Sequence, residues 1–358
     1  MPKNVLLTGG SGGVGFEVLK ELVKRNDQYR TRVLSIDAYI ERDIFRPYLD
    51  RVEVISGDIR DPYVVDNAIK GVDVVIHVAG IIPPLADNNP IMAREVNVSG
   101  TKNIVDSIKK QQKHPRFIFT SSVAVYGDRL KQPEITINDP LVPSEGDEYA
   151  RTKIDAEKII MDSGIPWSIF RLCGILVRNL KIQPLMFHMP LETSLEWCHP
   201  SDVAYALVQA INEDKVINQV FNLGGGEQCQ IKAKEFVKSM FSIWGLDSSI
   251  LPEYAFAFQN FHSGFYKDGS ILNQILNFQK QTLHGYFETI RAKVSPVKRN
   301  LIKMIPSLII REYLLRMSDP LNAIKDNNDM LIKRYYGSRQ KFYEIAPGMV
   351  TKKAIYAG

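Results

Sequence analysis

"TGGSGGVG", residues 8–15, follows the apolar run "NVLLT" and opens onto a helical pattern, and its reading decides the fold. Glycines at 9, 12 and 15, set between a strand and a helix, permit a tight turn, a close approach of backbone to a pyrophosphate and close helix-to-strand packing. The helix N-terminus then offers N–H donors and a positive dipole end. A glycine-rich string alone often marks only a turn, so the surrounding pattern has to carry the reading. Apolar, β-branched runs recur at "RVLSID", "VEVISGD", "VDVVIHVAG", "RFIFTSS", "WSIFRLCGIL" and "VFNLGGG", with helical periodicity at 14–25, 62–70, 90–112, 147–163 and 201–213. Runs without clean alternation fit strands covered on both faces. The expected fold is α/β: a Rossmann-like, doubly wound parallel sheet over residues 1–226, with a ligand crevice at the carboxyl ends of its strands.

After Gly226 the alternation stops. "IKAKEFVKSMFSIWG" has the spacing of an amphipathic helix, the aromatic run "YAFAFQNFHSGFYKDG" follows, and the rest is mainly helical in pattern. The expectation is a smaller, mainly helical C-terminal region, 227–358, covering the substrate side of the sheet, with residues 175–200 adding part of the substrate site. The aromatics from Tyr254 to Tyr266 read as packing between helix and sheet.

The 358 residues, 45% hydrophobic and 24% charged, suit a soluble globular chain. Cys173, Cys198 and Cys229 are odd in number and widely spaced, which suggests neither a disulfide framework nor a metal site and fits a reducing cytoplasm. An apolar strand begins within four residues of Met1, leaving no room for a signal peptide, and no run of 18 apolar residues follows. The net charge of +5 is unevenly placed: seven basic residues and one acid, Glu312, lie between Arg291 and Arg316, a local +6. The remainder is near neutral, against a general nucleic-acid surface.

Asp37 ends the second strand, where an acid accepts hydrogen bonds from both ribose hydroxyls of an adenosine and repels a 2′-phosphate; NAD is the expected cofactor. Arg42, nearby, leaves NADP open. "YARTK", residues 149–153, sets Tyr149 and Lys153 four apart on one helix face. Alone the pair says little, since chance supplies about one Tyr-x-x-x-Lys in a chain with 15 tyrosines and 26 lysines over 358 residues.

In order along the chain, "TGGSGGVG", "GDIRD", "HVAG", "NVSGT", "TSSVAVYG" and "YARTK" resemble the motifs of the extended short-chain dehydrogenases/reductases, the NAD-dependent epimerase/dehydratase family, over roughly residues 3–226. The resemblance implies a cofactor site at Gly9, Gly12, Gly13, Val14 and Gly15, with Asp58 and Ile59 near the adenine. It places Val78, Ala79 and Gly80 near the ribose and pyrophosphate, and Asn97 near the nicotinamide. Ser122 would bond the reacting oxygen, Tyr149 would be the general acid/base, and Lys153 would bind nicotinamide ribose while lowering the tyrosine's pKa. Tyr126 would be structural. A phenol with pKa near 10 is a poor base at neutral pH, so a nearby cation is what the chemistry asks for.

Departures from the family concern the substrate. Val123 and Ala124 stand where dehydratases carry an Asp-Glu pair, Gly174 where galactose epimerases have asparagine, and Ile82 where they have lysine. Residues 175–196 are shorter and more apolar than a full nucleotide-sugar cradle, although Arg178, Lys181 and Lys303 could grip a diphosphate. The leading expectation is a nucleotide-sugar epimerase using transient hydride transfer; the alternative is a net dehydrogenase or reductase resembling 3β-hydroxysteroid dehydrogenases; a non-catalytic dinucleotide-binding protein is a third. A homodimer through 90–112 and 147–163 is implied by the same resemblance. In "WCHPSD", Ser201 or Asp202 is expected to cap the following helix, with His199 as a packing residue. Residues 294–317, "VSPVKRNLIKMIPSLIIREYLLRM", interleave aliphatic and basic side chains around Pro306. Such a stripe ordinarily faces its own core, here the sheet domain; weak peripheral contact with a membrane is a second reading, and a protein partner or a substrate phosphate a third.

Overall fold

The computed structural model describes residues 1–36, 42–177 and 182–347. Asp37, Arg178, Lys181 and the side chain of Arg42 lie outside the described residues. Seven strands form the main sheet: β1 (Lys3–Thr8), β2 (Tyr29–Ser35), β3 (Val52–Ser56), β4 (Val74–His77), β5 (Arg116–Ser122), β6 (Trp167–Leu172) and β7 (Gln219–Leu223). Their order is β3-β2-β1-β4-β5-β6-β7 and every neighbouring pair is parallel. The order reverses between β1 and β4, so the chain leaves β1 and β4 in opposite directions and opens a crevice at their carboxyl ends.

Five helices flank the sheet: α1 (Gly13–Val23), α2 (Pro62–Ile69), α3 (Gly100–Lys109), α4 (Glu148–Met161) and α5 (Pro200–Gln209). Strand residues alternate between two cores. Val5 and Leu7 join Val18 and Leu19 of α1 and Val203 and Leu207 of α5, whereas Leu6 joins Val65 of α2, Ile104 of α3 and Ile160 of α4. Both faces being covered explains why "NVLLT" is apolar without a gap. Each such side chain contributes about 1.5–3 kcal/mol by leaving water, which holds the strand ends fixed for the site above them.

Local chemistry sets the helix boundaries. Asp61 caps α2 through the N–H groups of Tyr63 and Val64, with Pro62 in the first turn. The expected helix over 90–112 is broken in the middle: Pro90–Arg94 passes through a π turn at Glu95–Ser99 into α3. At α5 the cap is His199 itself, whose Nδ1 accepts from Ser201 N–H at 3.2 Å, so neither Ser201 nor Asp202 takes the expected role. Asp202 instead accepts the backbone N–H groups of Lys280 and Gln281, at 2.9 and 2.8 Å.

Beyond β7 the chain is mainly helical, with two short strands that tie it to what precedes. Gln230–Lys232 pairs antiparallel with Ser194–Cys198, which pairs parallel with Gly174–Ile175; Phe265–Tyr266 pairs parallel with Glu134–Ile135. Phe187 and Leu195 pack in one cluster with Phe236, Phe241, Tyr336 and Phe342, so Leu176 and residues 182–195 share the core of the C-terminal region. The aromatic run is divided: Phe256 and Tyr266 are buried as expected, whereas Phe261 and His262 line the cavity described below. The expected packing of 294–317 on the sheet domain is not what the structure shows. Helix Pro296–Met304 buries no residue, and of helix Ser307–Arg316 only Leu314 is buried. Among the described residues no helix is long and apolar enough to cross a membrane.

Candidate active site

The glycine-rich turn is built around one close approach. Gly9 has φ +75°, and a Cβ there would meet the Ala79 backbone N at 2.5 Å; a Cβ on Gly15 would meet the Gly9 carbonyl at 2.0 Å. Only glycine serves at either position. Gly12 caps α1 with no side-chain hydrogen bond, so the first N–H groups of the helix face the crevice without a built-in acceptor. Gly9, Gly12, Gly13, Val14 and Gly15 line a cavity of about 1390 Å³, as do Asp58, Ile59, Val78, Ala79, Gly80, Ser122, Tyr149 and Lys153. The glycine cradle and the glycine-capped helix fit the diphosphate of a dinucleotide. Asp58 accepts from Arg60 N–H at 2.8 Å and from its guanidinium at 2.7 Å, and these bonds hold its carboxyl below the usual carboxylate range despite partial burial.

Asn97 stands behind the cavity wall rather than in it. From the π turn its Oδ1 accepts Ile81 N–H at 2.7 Å, and its Nδ2 donates to the Ile81 carbonyl at 2.9 Å and to Thr152 Oγ1 at 3.0 Å. It thereby fastens the Gly80–Ile81 loop to α4. His77, quoted in the sequence only as part of "HVAG", anchors the same region from below. Thr101 donates to the Asn97 carbonyl at 2.7 Å, leaving its oxygen to accept from His77 Nε2 at 3.1 Å; His77 Nδ1 then accepts from Thr8 Oγ1 at 2.6 Å. Burial, with Lys153 nearby, pulls His77 down to about 3, so it is a neutral link.

Ser122, at the end of β5, lies close enough to the Tyr149 phenol to lower its pKa, and its Oγ accepts Ala124 N–H at 3.2 Å. One turn along α4, Lys153 Nζ donates to the Thr120 carbonyl at 2.9 Å and lies 5.8 Å from the centre of the Tyr149 ring. The three side chains named from the sequence are thus brought together. Their electrostatics differ from expectation. Burial pushes Tyr149 up to about 12, with Ser122 pulling it down and Asp147 adding to the rise, while burial pulls Lys153 down to about 8, opposed by Glu157. The expected depression of the phenol is absent because removal from water outweighs the help of its neighbours.

Two pairs that no spacing along the chain could assemble border the same cavity. Asp147 caps α4 by accepting Ala150 N–H at 2.8 Å and meets His262 Nδ1 at 2.6 Å with its other oxygen. Burial raises the Asp147 carboxyl, but His262 and the helix N–H more than offset this and leave it below the ordinary value. Arg334 reaches Asp87 at 3.2 Å, and burial still holds Asp87 above its ordinary value. An aspartate two residues before the tyrosine was the one visible signal; its partner lies in the aromatic run. Tyr126 is tied into a separate buried chain, accepting from Arg171 and donating to Asn222, both at 2.8 Å.

Crevice, glycine cradle and the Ser122, Tyr149 and Lys153 cluster lie together as the resemblance to the extended short-chain dehydrogenases/reductases implies. Residues 6–180 match the model of the 3-beta hydroxysteroid dehydrogenase/isomerase family. Among curated proteins it is 30% identical over 164 residues to D-erythronate dehydrogenase of Cupriavidus necator, covering 44% of this chain and 50% of that protein. It is 29% identical over 164 residues to 3 beta-hydroxysteroid dehydrogenase type 7 of Mus musculus, 44% of each chain. The chain thus spans about half the length of the curated relatives it matches. Among solved structures, dTDP-glucose 4,6-dehydratase of Bacillus anthracis in complex with NAD superposes with TM-score 0.68 at 18% identity, covering 81% of this chain and 96% of that one. UDP-glucuronic acid 4-epimerase of Bacillus cereus, in complex with UDP-glucuronic acid and NAD, gives 0.65 at 18% identity, covering 81% and 100%. At that identity the likeness is one of fold.

Proposed function

We propose that the protein is an NAD-dependent oxidoreductase acting on a secondary alcohol or its ketone, with Ser122, Tyr149 and Lys153 as its catalytic residues. The observation that carries this reading is their convergence in the cavity that also holds the glycine cradle. In it the Gly9–Gly15 turn receives the cofactor diphosphate, Asp58 and Ile59 flank the adenine, and Asp37 selects NAD. Bound NAD supplies the acceptor for the substrate's carbon-bound hydrogen and adds positive charge to the cavity. Ser122 holds the substrate oxygen. Tyr149, with burial pushing it to about 12, carries its proton at neutral pH and is ready to give it to a ketone oxygen. In the oxidising direction it must accept that proton, and the Lys153 ammonium on the same helix face stabilises the phenolate that does so.

For the substrate, the apolar part of the cavity lining favours an apolar alcohol and a net dehydrogenase. Ile81, Met92, Leu176, Met189, Leu195 and Trp197 belong to that lining. A nucleotide-sugar epimerase is the second reading, favoured by a fold likeness that reaches across the C-terminal region to an epimerase. Val123 and Ala124 offer no acid or base, so dehydration is not part of either reading. A homodimer through 90–112 and 147–163 belongs to the same proposal.

Purified protein supplied with NAD and a panel of hydroxysteroids, small hydroxy acids and UDP-sugars tests it, with NADH absorbance and epimer formation followed together. Net NADH from an apolar alcohol supports the first reading and epimer without NADH the second. No turnover of any secondary alcohol, with NAD shown to bind, would overturn the catalytic assignment.

A further inference from the structure

Helix Pro296–Met304 turns Val297, Leu301 and Met304 outward, and helix Ser307–Arg316 packs Ile310, Leu314 and Leu315 on the C-terminal core while leaving Leu308 and Ile309 exposed. Val297, Leu301 and Met304 recur at helical spacing on the first, and Ile305, Leu308 and Ile309 continue the stripe across Pro306. Leu301 is 59%, Leu308 64% and Met304 79% exposed. On the first helix, basic side chains meet the turn at Trp244 and Gly245. Lys298 Nζ lies 5.0 Å from the Trp244 ring centre. A Cβ at Gly245 would meet Arg299 Cγ at 2.7 Å and Lys303 Cε at 3.1 Å, which sets both stems against that turn. The amphipathic pattern read in the sequence is real, but the first helix mounts it inside out relative to a helix that packs on its own protein.

An exposed aliphatic stripe of this length, rimmed by cations, marks a surface that something else covers. Its charge selects the occupant. Between Arg291 and Arg316 seven basic residues face one acid, Glu312. A second copy meeting this face with its own would bring two cationic surfaces together, whereas anionic headgroups would neutralise them. Lys298 and Lys303 are exposed beside this stripe, and at lipid interfaces long basic side chains lay their stems on apolar surface while their charged ends reach phosphates. We propose that the face formed by residues 296–313 rests on an anionic lipid surface, with Val297, Leu301, Met304, Ile305, Leu308 and Ile309 in the interfacial layer. The contact is peripheral, since neither helix is long enough to span. It does not depend on the chemistry proposed for the cavity.

Full-length protein is co-sedimented with phosphatidylcholine vesicles, with and without phosphatidylserine, at low and at high salt. The expected result is pelleting with the anionic vesicles at low salt and release by high salt. In a Leu301→Glu/Leu308→Glu variant, partition should fall by about tenfold or more while thermal unfolding is unchanged, because both residues are exposed. Protein remaining in the supernatant under all four conditions overturns the proposal, as does vesicle binding that the double variant retains. Light scattering that shows a dimer for the parent and a monomer for the variant, with no vesicle binding by either, would reassign the face to a contact between copies.

Discussion

Asp147 and His262 meet at 2.6 Å, the first capping the helix that carries Tyr149 and the second arriving from the aromatic run of the C-terminal region. Asp147 is among the causes that raise the Tyr149 phenol, and the His262 bond draws on the same carboxylate. With His262→Ala the carboxylate loses its partner and its field at Tyr149 strengthens. The phenol should then rise further, and the limb of the oxidation rate that reports its deprotonation should move to higher pH. The pH profile of kcat/KM measures this; a limb that stays put would leave Asp147 with only its capping role.

Two tyrosines should separate function from stability. Tyr149→Phe should leave NAD affinity within a few-fold and lower turnover by roughly 10²-fold or more, the scale of a positioned proton-transfer group. Tyr126→Phe should do the reverse. It removes the hydroxyl between Arg171 and Asn222 in a buried chain, costing about 1–3 kcal/mol while turnover stays near that of the parent. Steady-state kinetics and urea denaturation of both variants decide it. Ser122→Ala should also slow turnover, and combined with Tyr149→Phe the losses should not add, because both groups act on one oxygen.

Gly15→Ala and Gly13→Ala test the cradle. A Cβ on Gly15 meets a backbone carbonyl at 2.0 Å, which no side-chain adjustment relieves, whereas one on Gly13 meets nothing within 4 Å. Gly15→Ala should therefore lower the midpoint of unfolding and weaken NAD binding by tenfold or more. Gly13→Ala should be neutral or stabilise by up to about 1 kcal/mol through a less flexible unfolded chain. Calorimetric titration and thermal melts are the readouts, and equal effects of the two would contradict the turn geometry.

Lys153 gives stability a pH dependence of its own. Burial pulls its ammonium from 10.5 to about 8, so the unfolded chain binds that proton across a window in which the folded chain has released it. Stability contributed by this group accordingly rises as pH goes from about 8 to 10.5. Below 8 the folded protein bears the cost of a buried charge, at most about 3 kcal/mol at about 1.36 kcal/mol per unit. Against Lys153→Met, which has no such titration, the parent should be less stable at neutral pH, and the gap should narrow toward pH 10. A constant gap in urea midpoints across that range would show the ammonium to be solvated.

The sequence by itself determined what local backbone and spacing demand. Gly9 and Gly15 are legible because a positive φ and a contact with neighbouring backbone admit nothing larger, and "NVLLT" because a strand covered on both faces has no polar side. Tyr149 and Lys153 are legible because helical spacing puts four-apart residues on one face, with Ser122 fixed by the strand that ends there. Tertiary structure alone decided the rest. No spacing rule joins Asp147 to His262 or Asp87 to Arg334, since each pair is made by how the C-terminal region closes over the sheet. Nor could sequence give the direction in which Tyr149 is shifted, because desolvation depends on every element packed around it. The 294–317 segment shows the division most plainly: its periodicity was in the sequence, but which side faces water depends on what the helix meets, and Trp244 and Gly245 met its basic face.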